Sequence, residues 1–147
     1  MLIKTLAVAA LGLLTSSSAL AATGGCHTVS GTFVNHTVPC TVVALVCVES
    51  QVTGDLAGTS TTAVTTIGPV PHTFSGTVTN VLDNGAIVTA TIAGTVPADG
   101  IGNSVETITG GTRQFAHATG MLTVQDIVPG AGTYTGFYCL AEGEDGD

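Results

Sequence analysis

Four ionisable side chains have the types and the spacing to do chemistry: Arg113 and His117, four residues apart around Phe115, and the carboxylates of Glu106 and Glu49. A guanidinium and an imidazole in one glycine-rich stretch could jointly hold a carboxylate or stabilise negative charge as it develops. Glu49 ends an apolar run and Glu106 lies between Val105 and Thr107, so either could project into an interior. There, burial would raise its pKa and suit it to general acid or base work. The plainer reading makes Arg113 a surface group satisfying local carbonyls or an acidic neighbour, and the two glutamates solvated strand ends.

The histidines His27, His36, His72 and His117 and the cysteines Cys26, Cys40, Cys47 and Cys139 raise the question of a metal. Cys26-His27 with His36 and Cys40 offers two sulfur and two nitrogen donors, but the spacing fits no standard zinc motif. Cysteines behind an export signal pair with each other, so no metal and no other cofactor is expected. His72, after Pro71, reads as a loop residue. There is no Gly-x-Ser-x-Gly elbow, no metalloprotease helix motif and no phosphate-binding glycine loop followed by Lys, which removes several common enzyme classes. Asn35-His36-Thr37 is a formal glycosylation sequon in an expected turn, with meaning only in a eukaryotic host.

The compartment follows from the first residues. Lys4, the apolar stretch 5–14 and a small polar patch ending Ala19-Leu20-Ala21 have the three-part layout of a secretory signal, with cleavage expected after Ala21. The apolar stretch falls short of the roughly 18 to 20 residues that cross a bilayer, and the later run 42–48 has strand length. A lipid anchor would use Cys26, but Thr23 stands where such signals hold an aliphatic residue. The expected product is a secreted protein, extracellular or periplasmic, with one domain over 22–140 and an acidic, disordered tail at 141–147. Removing Lys4 takes the formal charge from −8 to −9 with His neutral, leaving Arg113 as the one basic residue against ten Asp and Glu. Nucleic acid, which is bound largely through Lys and Arg at phosphates, is excluded as a partner, and an anionic membrane surface is disfavoured.

What must position these residues is a set of strands. The chain is rich in Thr, Val and Gly and poor in the residues that fill exposed helix faces. Alternating runs at 27–34, 41–49, 59–67, 73–82, 86–96, 104–109, 120–125 and 133–140, separated by Gly, Pro, Asn and Asp, predict an all-β antiparallel barrel or sandwich of eight strands. One hairpin can be read in register. With Asp83, Asn84 and Gly85 in its loop, Leu82 faces Ala86, Val78 faces Ala90, Gly76 faces Ile92 and Phe74 faces Gly94, so large residues meet small ones. Gly85 then takes the left-handed position, and the face carrying Thr77, Thr79, Thr89, Thr91 and Thr95 is the wetter one.

The run 41–49 is apolar in succession, which predicts a strand covered on both faces and, from that, association between copies. The four cysteines allow three pairings. The preferred one joins Cys26 to Cys40, closing a local loop, and Cys47 to Cys139, tying an early strand to the last.

Thr109-Gly110-Gly111-Thr112, followed by Phe115-Ala116 and Ala118-Thr119-Gly120, resembles the Gly-Gly-Thr-Gly-x-Phe-x-Gly-Ala-x-Gly segment of allene oxide cyclase-like and dirigent-like barrels. Gly54-Asp55-Leu56-Ala57-Gly58-Thr59 and Gly132-Thr133-Tyr134-Thr135-Gly136 resemble elements of related small secreted bacterial barrels of unassigned role. The pattern's third glycine is here Arg113 and its next glycine is His117, so the turn is expected to differ. The resemblance implies an eight-stranded barrel over roughly 41–140 and carries no chemistry with it. The function expected is non-enzymatic, either binding of a small apolar ligand or a structural, self-assembling surface module. The alternative is an isomerase- or cyclase-like barrel in which Arg113 and His117, with Glu106 or Glu49, guide a reactive intermediate in the lumen.

Overall fold

The computed structural model describes residues 25–69 and 72–141. The expected leader at 1–21 and the acidic residues 142–147 lie outside the described residues. Eight antiparallel strands, β1 (Cys26–Val38), β2 (Val46–Val52), β3 (Gly58–Ile67), β4 (His72–Leu82), β5 (Ile87–Val96), β6 (Asn103–Gly111), β7 (Thr119–Val128) and β8 (Ala131–Cys139), follow one another around a closed barrel. β8 pairs with β1, so the sheet has no edge and the sandwich alternative is removed. One 3-10 turn, Arg113–Phe115, interrupts the all-β pattern.

Alternation along each strand sorts side chains between lumen and solvent. On β5, Val88, Ala90 and Ile92 are buried while Thr91 is exposed, and on β4 Val78, Asn80 and Leu82 are buried while Thr77 and Thr79 are exposed. The β4–β5 register pairs Phe74 with Gly94, Gly76 with Ile92 and Val78 with Ala90, and Leu82 N–H donates to Ala86 O, as the three-residue loop requires. Gly85 has φ +79° in that loop, the left-handed conformation that costs glycine least.

The two ends of the barrel differ. At one end, a floor is built by Leu56 from the β2–β3 connection, Leu82 and Ala86 from the β4–β5 turn, and Phe115 and Ala118 from the β6–β7 connection, all buried in one cluster with Val29, Val88, Ile108, Leu122 and Tyr134. Phe115 meets Tyr138 edge-on at 5.1 Å between ring centroids. Tyr134 organises this floor. It lies across from Gly31 on β1, where a β-carbon would come within 2.5 Å of its ring and its hydroxyl, so only glycine leaves it room. Its hydroxyl accepts from Leu56 N–H at 2.9 Å and donates to Thr53 O at 2.9 Å, and Asn80 Nδ2 donates to Leu56 O at 3.1 Å.

Three expectations are corrected. The strand predicted at 41–49 begins at Val46, and residues 39–45 form the β1–β2 connection, with Val42, Val43 and Leu45 exposed. Pro39, which lacks an N–H for the ladder, ends β1, and the apolar succession is a connection followed by a strand whose outward Cys47 is buried beside that connection. The disulfides are Cys26–Cys139 and Cys40–Cys47. The β1–β8 register sets Cys26 opposite Cys139, and β1–β2 pairing of Val38 with Cys47 brings Cys40 back to its partner. Asn35 lies within β1 rather than in a turn, and its Oδ1 accepts from Ser50 Oγ at 2.6 Å.

Tyr134→Phe leaves the buried Leu56 N–H without an acceptor. We expect it to lower the unfolding free energy by about 1 to 3 kcal/mol in a urea titration; an unchanged midpoint and slope would show that the hydroxyl does not hold the floor.

Candidate functional site

The other end of the barrel is open, and above the floor lies a cavity of about 520 Å³. Its wall is mostly apolar, with Val46, Val48, Val52, Val64, Ile92 and Val124 among its lining. These come from strand positions that alternate with outward-facing ones, so the lumen follows from the same period of two that builds the strands. Volume and lining are those of a small-molecule site.

Polar residues interrupt this wall at defined places. Asn35, Ser50, Ser60 and Asn80 stand directly opposite one another on β1, β2, β3 and β4, forming one row across four strands. Asn35 and Ser50 satisfy each other, whereas Asn80 uses its amide N–H on Leu56 O and keeps a buried Oδ1 with no hydrogen-bond partner. At the mouth, Asp126 accepts from Gly102 N–H at 3.0 Å. Burial raises its carboxyl above the ordinary value, and that hydrogen bond partly offsets the rise. His72, the first residue of β4, also lines the mouth.

Glu106 is the carboxyl deeper in the lumen. It lies between Ser104 toward the mouth and Ile108 in the floor cluster, with Ile92 and Leu122 beside it on β5 and β7. Burial among these groups pushes its pKa from 4.5 to about 7, and neither an ion pair nor a hydrogen bond opposes the rise. A carboxyl of this kind changes charge near neutrality and can act as proton donor, acceptor or counter-ion.

The other three sequence candidates are elsewhere. Glu49 is on the outer face of β2, 3.2 Å from His36 Nε2 of β1. Arg113 is exposed on the outside of the floor, where its guanidinium donates to Asn84 O at 2.6 Å and spans the β4–β5 turn. Its φ of +54° is a left-handed value unusual for a side chain of this kind, at the position where the barrel-family pattern carries glycine. His117 is exposed in the same connection and does not line the cavity. The four groups are therefore not brought together, and the segment that carries Arg113 and His117 serves through Phe115 as part of the floor. The Cys26, His27, His36, Cys40 set is not assembled either, because Cys26 is bonded to Cys139 at the floor end and Cys40 to Cys47 near the mouth. That bond also removes Cys26 as a lipid acceptor.

The polar row was missed in the sequence because its members come from four strands, and only register aligns them. The signal for Asn80 was present, since it falls on the same face as Phe74, Val78 and Leu82. No protein-family model, curated protein or solved structure matches the chain.

The raised pKa of Glu106 has a signed consequence. Between pH 4.5 and 7 the unfolded carboxyl has lost its proton and the folded one retains it, so this group's contribution to stability falls as pH rises through that window. The loss is up to about 3 kcal/mol at pH 8. Glu106→Gln lacks the titration, so its stability relative to the natural protein is expected to rise by about 2 to 3 kcal/mol from pH 4.5 to pH 8 in chemical unfolding. A pH-independent difference would refute the assignment.

Proposed function

We propose that this chain is an exported, non-enzymatic binding barrel whose lumen takes a small, largely apolar molecule. The observation that carries this reading is the cavity of about 520 Å³, closed at the floor, open at the mouth and walled mainly by valine, leucine, isoleucine and phenylalanine. A barrel that served only as a packed module would fill its interior with side chains. Here the core cluster fills the floor and leaves the upper lumen free.

Export is supported by two disulfides, bonds that persist in oxidising compartments. Among the described residues no helix is long and apolar enough to cross a membrane. The outer face carries rows of threonine, such as Thr77, Thr91 and Thr107 paired across β4, β5 and β6, among scattered exposed Val81, Val105, Met121 and Phe137, while the lumen wall is mostly apolar. That polarity is the reverse of a lipid-facing barrel, whose outward band is apolar. The likeness of the Gly-Gly-Thr segment to allene oxide cyclase-like and dirigent-like barrels accords with the architecture, and the outward placement of Arg113 counts against the cyclase-like alternative.

Association between copies is a second reading, now favoured by a different observation from the one that suggested it. Val42, Val43 and Leu45 form an exposed apolar connection beside the mouth, a surface of the kind that marks contact sites.

Binding can be read from the fluorescence of the neutral dye N-phenyl-1-naphthylamine. The natural protein should enhance its emission saturably, and Val48→Trp, which fills the lumen, should weaken binding by about tenfold or more while the far-ultraviolet spectrum keeps its strand signature. Arg113→Ala should leave dye affinity within about twofold. No saturable binding, or binding indifferent to Val48→Trp, would overturn the lumen as the site. For association, light scattering is expected to give more than the monomer mass, and Val43→Asp to return the monomer; a monomeric natural protein at millimolar concentration would remove this second reading.

A further inference from the structure

Two acceptor groups in the lumen select among apolar ligands, the one ionisable and the other fully buried. Glu106 presents a carboxyl with no hydrogen bond or ion pair to any described residue, part-way down an otherwise apolar wall. Asn80 presents a buried Oδ1 with no donor, closer to the floor and in the same cavity. Both accept hydrogen bonds. The titratable groups that share the lumen are His72 on β4, Asp126 on β7 and Tyr134 on β8, and the lining from β1, β2 and β3 contains none. Tyr134 already spends its proton on Thr53 O. Among the described residues no Lys or Arg lines the cavity, and the chain's formal charge is −8.

Three classes of apolar ligand can be compared on this ground. An anionic lipophile, such as a fatty-acid carboxylate, would meet Glu106 and Asp126 with like charge and find no cation. A neutral lipophile would fill the volume but leave Glu106 and Asn80 Oδ1 desolvated and unpaired. A lipophilic ammonium supplies what is missing: several N–H donors on a positive head, and an apolar body matched to the valine-rich wall. It also enters a negative potential that draws cations to the mouth.

We propose that the ligand is a lipophilic amine, held by an ion pair between its ammonium and the Glu106 carboxylate, with its hydrocarbon body against the lumen wall. The inference rests on the lumen being a binding site. It deepens that reading by naming the ligand's chemistry. Glu106 is the residue that sets specificity, and the apolar wall sets affinity common to all lipophiles. Binding is coupled to proton release, because the carboxyl that is partly protonated in the empty lumen must ionise to pair with the ammonium.

The test compares three ten-carbon probes, decylamine, decan-1-ol and decanoate, each below its micelle-forming concentration, as competitors for bound N-phenyl-1-naphthylamine at pH 8. Decylamine is expected to displace the dye at a concentration about tenfold lower than decanol or less, and decanoate to be the weakest. Glu106→Gln should bring decylamine to within about twofold of decanol. Asp126→Asn should leave most of the preference in place. At pH 5.5, where Glu106 is protonated in the natural protein, the preference should shrink while the amine itself remains charged. Equal competition by decylamine and decanol, or an amine preference that survives Glu106→Gln, would overturn the ammonium proposal and leave the binding lumen standing. Failure of all three probes to displace the dye would overturn the lumen reading and this inference with it.

Discussion

The pairing of β1 with β8 is the constraint on which the rest of this structure depends. It runs through nine residue pairs, from Cys26 opposite Cys139 to Val34 opposite Ala131, and turns a meander of hairpins into a closed surface. Closure satisfies the backbone groups that edge strands would leave open, and it fixes strand tilt and stagger together. Once the stagger is set, every alternate side chain has an assigned place inside. The Cys26–Cys139 bond sits at the end of this seam and spans 113 residues of sequence, where a cross-link removes on the order of 4 to 5 kcal/mol of unfolded-state entropy in the chain-entropy account.

Within the closed sheet, the division between floor and lumen comes from which connections fold inward. The β2–β3 connection sends Leu56 down onto the core, and the β6–β7 connection sends Phe115, while Tyr134 reaches across the space left by Gly31 to hold Leu56. At the other end, residues 39–45 lie outside with Val42, Val43 and Leu45 exposed, and the cavity extends above Glu106. Stability is thus concentrated where the large side chains meet, and binding volume is left where strands carry valine, serine and glycine. Glu106 stands between these regions. Its cost to the empty fold above neutrality comes from the same burial that gives the proposed ammonium ligand an unpaired carboxyl to meet.

Much of the fold was legible because it rests on local pattern. The eight strands follow from alternation and from punctuation by Gly, Pro, Asn and Asp, and the β4–β5 hairpin could be registered from size complementarity, since only a three-residue loop sets Phe74 against Gly94 and Gly76 against Ile92. The run 41–49 failed the same reasoning because apolar composition does not distinguish a covered strand from an exposed connection held by a disulfide. Glu49 and Glu106 look alike in sequence, each flanked by strand formers, yet one pairs with His36 outside and the other lies in the lumen. The phase of each strand relative to the barrel axis separates them, and that phase is set by neighbours far away in the chain.

The sequence by itself determined the class of structure: a small acidic all-β chain with an even number of cysteines. It determined these because period, turn chemistry and charge are local or additive quantities. Only the tertiary structure decided which cysteines pair, that Arg113 braces the outside of the floor, that Asn35 faces Ser50, and that Glu106 and Asn80 share one cavity. The Cys26–Cys139 bond and the cavity shared by Glu106 and Asn80 depend on closure. Until β8 meets β1 there is no inside, and a side chain's face, burial and partners have no defined value.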